Sequence, residues 1–316
     1  MTLVNRRDSA KKRTQREPII LHICASFTES LSLMSNQPGN RLLTSTFTLS
    51  FIMKVVSNMS YRKFAYVYDE LMEDMPYPDW LRFARTAWEK HGIPKSIVEL
   101  GCGTGSITIP LVKSGFEVTG IDLSADMLSV ARQKLDESPQ GNRFFREGTI
   151  RWVQQDMRDW ELPEEADTVI SFCDSINYLL KEEDIVRTFQ KTYAGLKPGG
   201  VFLFDVHHPN TFIRYDEEQP FVLDEKSISY IWTCDFHRPT YEIEHHLSIF
   251  TRVEEGGKDL YRRFEEIHNQ RAYDPVWMQL ELHKAGFSDV QIYADFEWKP
   301  AGEDASRLFF VAVKPL

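Results

Sequence analysis

The chain has 316 residues, 42% of them hydrophobic, and a formal net charge of -10 at pH 7. That length holds one large domain or two small ones, with enough apolar material for a core. The acid excess argues against a nucleic-acid surface, which needs a basic patch, and no apolar run reaches membrane-spanning length. Cys24, Cys102, Cys173 and Cys234 form no C-x-x-C pair and no metal-ligand spacing. A reducing, cytoplasmic setting therefore fits better than a disulfide framework, and no metal site is expected.

Residues 1–58 differ from the rest. They carry eight Lys/Arg against three Asp/Glu and are rich in Ser, Thr and Asn, with no sustained period. Pro18 to Ala25 is a short apolar run behind a basic start. A secretory signal needs a longer apolar core and a small-residue cleavage site. The acid-poor composition suits a transit peptide. A start of synthesis at Met53 or Met59 accounts for the missing periodicity, and a disordered arm is a fourth reading. The segment is expected to lie outside a domain spanning 59–316.

From Tyr61 the pattern becomes protein-like. Tyr66 to Met72 predicts a short helix, followed by a Pro-Tyr-Pro turn. Asp79 to His91 predicts a second helix, with Trp80, Leu81, Phe83, Ala84, Ala87 and Trp88 at helical spacing. Ser96 to Leu100 reads as a buried parallel strand entering the turn Gly101-Cys102-Gly103-Thr104-Gly105. Strand Phe116 to Ile121 ends at Asp122, and helix Ala125 to Leu135 follows. Asp136 to Glu147 is a polar loop with turn signals. Strands Ile150 to Gln154 and Ala166 to Phe172 come next, then helix Lys181 to Leu196 and strand Val201 to Asp205. Strands alternating with helices of this length predict a doubly wound parallel sheet.

After Asp205 the character changes. Tyr230 to Phe236, Tyr241 to Arg252 and Asp259 to Tyr273 alternate like strands and are joined by hairpin-like links. Helix Asp274 to Ala285 ends at Gly286, a C-cap signal, and strands Val290 to Phe296 and Arg307 to Val313 close the sheet. A β-rich insert over 208–273 thus interrupts the core, and an insertion of that size is usually functional.

The glycine turn carries the chemistry. Glycines at alternate positions allow positive φ and close backbone approach, and the helix start beyond offers free N–H groups. The spacing is G-x-G-x-G rather than the dinucleotide G-x-G-x-x-G, and no Gly-Lys-Ser/Thr follows. Glu99, just before the turn, would repel a pyrophosphate but suits a cationic or amino-bearing ligand. Asp122, at the next strand's end, is placed for ribose hydroxyls.

Four stretches resemble, in order and at family spacing, the class I S-adenosylmethionine-dependent methyltransferases. Glu99 to Gly105 resembles their first motif, Gly120 to Leu128 their second, Gln155 to Arg158 their adenine-binding motif, and Leu196 to Gly200 the turn before their fifth strand. The resemblance covers roughly residues 60 to 205 and more weakly the chain to 316. It implies a Rossmann-like, doubly wound, seven-stranded α/β sheet with a β-rich insert after the fifth strand, and S-adenosyl-L-methionine as cofactor. It also implies roles: Glu99 for the donor's amino group, Asp122 for the ribose, Asp156 and the Met157 backbone for adenine, and Met127 with Ile121 around the base. Gly101, Cys102, Gly103 and Gly105 would line the turn, Cys173 would sit near the methionine end, and Tyr66 or Tyr68 would reach that end from a lid.

The acceptor side is less defined. An (N/D)-P-P-(Y/F) tetrapeptide, as amino-methylating nucleic-acid enzymes carry it, is absent where Cys173-Asp174-Ser175-Ile176 stands, and Cys173 lacks the proline neighbour of a cytosine-C5 nucleophile. Asp174 to Leu179 resembles the corresponding stretch of sugar N-methyltransferases, with Asp174 and Asn177 as departures, and the insert resembles those of sugar and glycine N-methyltransferase-like enzymes, where it roofs the substrate pocket. Methyl transfer to N or O of a small molecule is the leading expectation. An RNA- or protein-directed enzyme is the alternative, and a non-enzymatic cofactor-binding protein a distant third. His268, with Glu266 or Tyr178, is the candidate to orient the acceptor and take its proton, since histidine titrates near the working pH. Alternation groups Glu266, His268 and Gln270 on one face and Glu265, Ile267 and Asn269 on the other. The apolar Ile267 hints that its own face turns inward, so the assignment stays open.

Overall fold

The computed structural model describes residues 67–316 apart from 140, 256, 257 and 303. Tyr66 and the 1–58 extension lie outside the described residues. After a helical turn at 67–71, helix α1 (Tyr77–His91) buries Trp80, Phe83, Ala84, Ala87 and Trp88 on one face. The alternating core is β1 (Ser96–Leu100), α2 (Thr108–Lys113), β2 (Glu117–Asp122), α3 (Ala125–Asp136), α4 (Gly141–Arg146), β3 (Ile150–Gln154), β4 (Ala166–Ser171), α5 (Glu182–Gly195) and β5 (Leu196–His207). Next come α6 (Pro209–Glu218), β6 (Phe221–Asp224), β7 (Ile228–His237), β8 (Glu242–Glu255) and β9 (Lys258–Arg271). Helix α7 (Pro275–Ala285) and strands β10 (Asp289–Ala294), β11 (Glu297–Pro300) and β12 (Arg307–Val313) finish the chain.

The main sheet runs β11-β10-β12-β5-β4-β1-β2-β3. Strands β1 to β5 pair in parallel, β12 runs antiparallel to β5, and β10 antiparallel to β12. The Rossmann-like doubly wound expectation therefore holds, with one correction: the sheet has eight strands rather than seven. The extra strand, β11, folds back on β10 at the sheet edge. Its four residues are too short and polar to show a strand period. Both faces of the sheet are covered. One apolar cluster joins α1, α2, α3 and the insert, and the other joins α5 and α7.

Strand order reverses between β1 and β4, which places the ligand crevice outside their carboxyl ends. Beyond β5 the chain builds a second sheet, β6-β7-β8-β9, an antiparallel meander. On its inward face, Tyr230, Trp232, Cys234, Ile243, His245, Leu247 and Ile249 are all buried. Trp232 is packed by Phe221 and Tyr215, a burial that stabilises the insert's seat on the core by roughly 1.5–3 kcal/mol per large apolar side chain.

Three short elements differ from the sequence reading. The expected polar loop contains α4, whose six residues are too few to show a helical period; an Arg143–Glu147 ion pair supports its end. Helix α6 starts at Pro209, with the His208 ring accepting from the Asn210 N–H, and β6 follows it.

A candidate cofactor site joined to the insert

The crevice is built from the ends of β1 and β2. Gly101, Gly103 and Gly105 all have positive φ, a conformation that strains other residues. At Gly101 the need is also steric, since a Cβ would stand 2.7 Å from Ser175 Oγ. The N–H groups of Gly101 and Cys102 both donate to the Ile121 carbonyl, at 2.8 and 3.0 Å, which fixes the turn against β2. Asp122 then receives the Gly103 N–H on one oxygen and the Ser124 N–H on the other, each at 2.8 Å. Each oxygen keeps a second lone pair for a hydroxyl donor.

Glu99 and Asp122 are both buried. Glu99 accepts from the Thr108 hydroxyl. Burial pushes its carboxyl up to about 8, and the nearby Asp122 charge adds to the rise. Burial likewise pushes Asp122 up to about 6. Among the described residues neither acid has a cationic partner. Two desolvated carboxyls beside a glycine turn fit a ligand that brings an amino group, a second positive centre and adjacent hydroxyls.

The surrounding residues divide into those that face the turn and those that hold it. The Met157 methyl lies 3.5 Å from where a Gly101 Cβ would sit. Asp156 is bound on both oxygens by the Arg158 guanidinium, which also reaches Asp184 at 3.0 Å. Burial alone would raise the Asp156 pKa, but Arg158 holds it below the usual carboxylate range. Asp69, in the 67–71 turn, accepts from Thr104 Oγ1 at 2.7 Å and pairs with Lys134 at 2.8 Å. The segment read as a lid is thus tied to the glycine turn itself. Tyr68 of that segment is buried in the apolar cluster with Leu71 and Met72.

Cys102 is buried beside Gly120, where a Cβ would stand 2.9 Å from its sulfur. Ile121 and Met127 are each fully buried, in different apolar clusters. Leu123, just past Asp122, is half-buried. Trp152, which the sequence reading passed over, closes against Gly105 and Gly120. Its signal was a tryptophan in a strand that neighbours a glycine-bearing strand.

Past β4 the backbone takes two successive left-handed residues, Cys173 and Asp174. Such strain persists only where the surroundings over-determine it. Here Asp205, at the end of β5, accepts the N–H groups of both, at 2.8 and 3.2 Å, and the Trp80 indole N–H at 2.9 Å. Arg307, opening β12, donates to Asp205 and to Asp174, the latter at 3.0 Å. Gln270 of β9 donates to Asp174 at 2.8 Å and meets His245 of β8 at 3.3 Å, and the Trp232 indole donates to His245 at 3.1 Å. Asn177 accepts from the His207 N–H at 3.0 Å and donates to the Arg271 carbonyl at 2.9 Å. Asp174 and Asn177, the two departures noted in the sequence, are what bind the insert to the core.

Between these two ends lies one turn of 3₁₀-helix, Ser175–Tyr178. Its first residue touches the glycine turn, and Tyr178 stands edge-on to His268, ring centroids 6.3 Å apart. The face of β9 is settled: Glu266, His268 and Gln270 are buried, and Ile267 is 47% exposed, so the inward hint from Ile267 is overturned. An edge strand can leave an isoleucine in solvent when its other face carries the docking contacts.

The histidine expectation is also corrected. Burial lowers His268 to about 3, so it is a neutral imidazole at the working pH rather than a group titrating there. Burial pushes Glu266 up to about 7. Among the described residues, the grouping with metal-ligand geometry is Asp235, Glu244 and His246, which alternation sets on the insert's opposite face. No described helix is long and apolar enough to cross a membrane.

Comparison with known proteins agrees with this architecture. Residues 97–200 match the family described as "Methyltransferase domain". A protein of Geobacillus sp. (strain WCH70) that carries a methyltransferase name is 38% identical over 258 residues, covering 81% of this chain and all of that one. The glycine/sarcosine N-methyltransferase of Aphanothece halophytica is 28% identical over 72% of this chain and 78% of its own length. Among solved structures, an S-adenosylmethionine-dependent methyltransferase from Clostridium acetobutylicum superimposes with a TM-score of 0.69 at 25% identity, over 81% of this chain and all of that one.

Proposed function

The chain belongs to the S-adenosylmethionine-dependent methyltransferases, and from that premise we propose that it methylates a nitrogen of a small molecule held between the glycine turn and the insert. The observation that carries the reading is the pair Glu99 and Asp122: two buried acids that meet no cation among the described residues, at adjacent strand ends, on either side of a glycine turn. When bound, the donor supplies an electrophilic methyl group activated by its own sulfonium charge, so the protein's task is to position and desolvate. In this reading Glu99 holds the donor's amino group and Asp122 its ribose hydroxyls. Asp156 and the Met157 backbone meet the base, while Gly101, Cys102, Gly103 and Gly105 line the turn. Cys173 flanks the methionine end, and Tyr68 shapes the lid from within the core.

The inward face of β9 with Tyr178 forms the acceptor wall. Glycine/sarcosine N-methyltransferase as a relative and the acid-rich composition support a small-molecule acceptor over RNA. Residues 208–273 then act as the substrate cover of a 59–316 domain.

Asp122→Ala tests the cofactor site. It removes acceptors for two charge-assisted hydrogen bonds, each worth about 1.5–3 kcal/mol, so calorimetric binding of S-adenosylhomocysteine should weaken at least tenfold. Unchanged affinity would overturn the assignment.

A further inference from the structure

Glu266 stands apart from the other buried acids. Asp174 and Asp205 are held by Arg307, Asp122 by two backbone N–H groups, and Glu99 by a hydroxyl. Glu266 is 6% exposed, and among the described residues no hydrogen bond or ion pair reaches its carboxylate. Its cross-strand partner is Leu247, and one pair further along β9 the inward residue is Phe264, opposite Ile249. A carboxylate in such surroundings is costly unless a cation joins it. Its position relates to the transfer site. Gln270, His268 and Glu266 follow one another outward along β9, about 6.6 Å per step, starting from the Asp174 contact at the sheet end. His268 meets Tyr178, whose turn begins at Ser175 against the glycine turn. An amine entering along this face meets Glu266 first and then carries its nitrogen past Tyr178 to the donor's methyl.

We propose that Glu266 receives the acceptor as an ammonium ion, and that the acceptor class is therefore a primary or secondary aliphatic amine rather than an alcohol. The inference rests on the methyltransferase reading above and names its substrate class. In the step that follows, the Glu266 carboxylate takes one proton from R–NH3+ and leaves R–NH2 with a free lone pair. That lone pair forms the new C–N bond as the C–S bond breaks, its electron pair passing to sulfur. The products are S-adenosylhomocysteine, R–NH2+–CH3 and a protonated Glu266, which returns its proton to water on release.

Burial raises a carboxylate's pKa and lowers an ammonium's, so the two approach each other in this setting, and the carboxyl's value of about 7 accords with that task. The titratable groups that adjoin it in the sheet register are His268 on β9, His245 on β8 and Tyr230 on β7, and Tyr178 of the 3₁₀ turn stands beside His268. Burial holds both histidines near 3 and raises Tyr230 above its ordinary value, so none of these three is charged at neutral pH. Neutral His268 is then a positioning residue beside Tyr178.

The test uses full-length protein loaded with S-adenosylhomocysteine and titrated calorimetrically with a panel of primary and secondary aliphatic amines and the matching alcohols. Amines should bind in preference to alcohols. Glu266→Gln should weaken the best amine at least tenfold, and Glu266→Asp should restore most of the loss. With S-adenosylmethionine, wild-type kcat/KM for that amine should rise with pH through about 7 as Glu266 ionises, a limb that Glu266→Gln abolishes and Glu266→Asp keeps. Alcohols binding better than amines, no member of either set binding, or Glu266→Gln behaving as wild type would each overturn the proposal. Failure of S-adenosylhomocysteine itself to bind would instead overturn the cofactor reading.

Discussion

Two ends of the same crevice use the same residue type in opposite ways. At the β1–β2 end, Glu99 and Asp122 are buried beside backbone donors and a hydroxyl, with no cation at hand among the described residues. At the β4–β5 end, Asp174 and Asp205 are more deeply buried, yet Arg307, Gln270, the Trp80 indole and two strained backbone N–H groups satisfy them. Burial pulls against the charge on Arg307, and the two carboxylates more than offset this, raising its pKa. Buried acids at strand ends are therefore not in themselves a binding site. What separates site from scaffold is whether the chain supplies the counter-charge or leaves it to a ligand.

The sharpest way to break the contrast is to remove the supplied charge. Arg307→Ala takes the guanidinium away from two buried carboxylates, and breaking a buried pair this way costs about 3–5 kcal/mol. The midpoint of urea unfolding should fall accordingly. A loss below about 1 kcal/mol, within the range of a surface pair, would mean that the network does not hold the insert. Neutralising single acids should then give opposite signs at the two ends. Asp205→Asn should lower the melting temperature of the ligand-free protein, while Asp122→Asn should leave it unchanged or raise it, because a desolvated charge is removed. Melting curves in the same direction for both variants would dissolve the distinction.

Next in size is the turn itself. Gly101→Ala places a Cβ 2.7 Å from Ser175 Oγ at a φ of +72°. The left-handed backbone alone costs roughly 1–2 kcal/mol for a residue with a side chain. S-adenosylhomocysteine affinity should fall several-fold, and Ser175→Gly added to the variant should recover part of it by relieving the contact but not the strain. Full recovery would show that the positive φ is not required.

The same contrast explains what was legible in the sequence. The cofactor end is local: Glu99 to Gly105 is contiguous, Asp122 closes the next strand, and their spacing alone carries a chemical meaning. The doubly wound order and the insert strands β7 to β9 followed from periodicity. The scaffold end has no such signature, because Asp174, Asp205, Gln270 and Arg307 come together only through the topology. Its one hint was Arg307 at the head of an otherwise apolar strand, where a buried cation requires an acid from a neighbouring strand end. Helix α4 and strands β6 and β11 escaped because each is too short for its period to emerge, and ten-residue α6 because it buries only Thr211 and Phe212. The inward face of β9 stayed open because the apolar Ile267 pointed the other way, whereas docking is carried by polar groups. The protonation of His268 and Glu266 was illegible for a related reason: it depends on burial rather than residue type.

The smallest expected effect is a pH dependence, and its sign separates the buried acids from the buried histidines. Glu99 moves from an ordinary 4.5 to about 8 in the fold. The fold prefers its protonated form, so its stabilising contribution is complete below pH 4.5 and declines as pH rises toward 8. Asp122 acts in the same sense from 3.8 to about 6, and Glu266 from 4.5 to about 7. His245 and His268, lowered from 6.5 to about 3, act oppositely: their contribution is complete above pH 6.5 and is lost as pH falls toward 3. From pH 6.5 to 8 the main remaining contributors among these groups are Glu99 and Glu266, so the melting temperature of ligand-free protein should fall over that interval. Glu99→Gln should remove most of the slope. A donor whose amino group meets Glu99 ionises it, so binding at pH 7 should release about one proton, measured as a dependence of the calorimetric heat on buffer ionisation enthalpy. Glu99→Gln should abolish the release. A flat melting profile together with no proton release would place an ionised Glu99 in the free protein, and with it a counter-charge at the end of the crevice where the ligand is required to bring one.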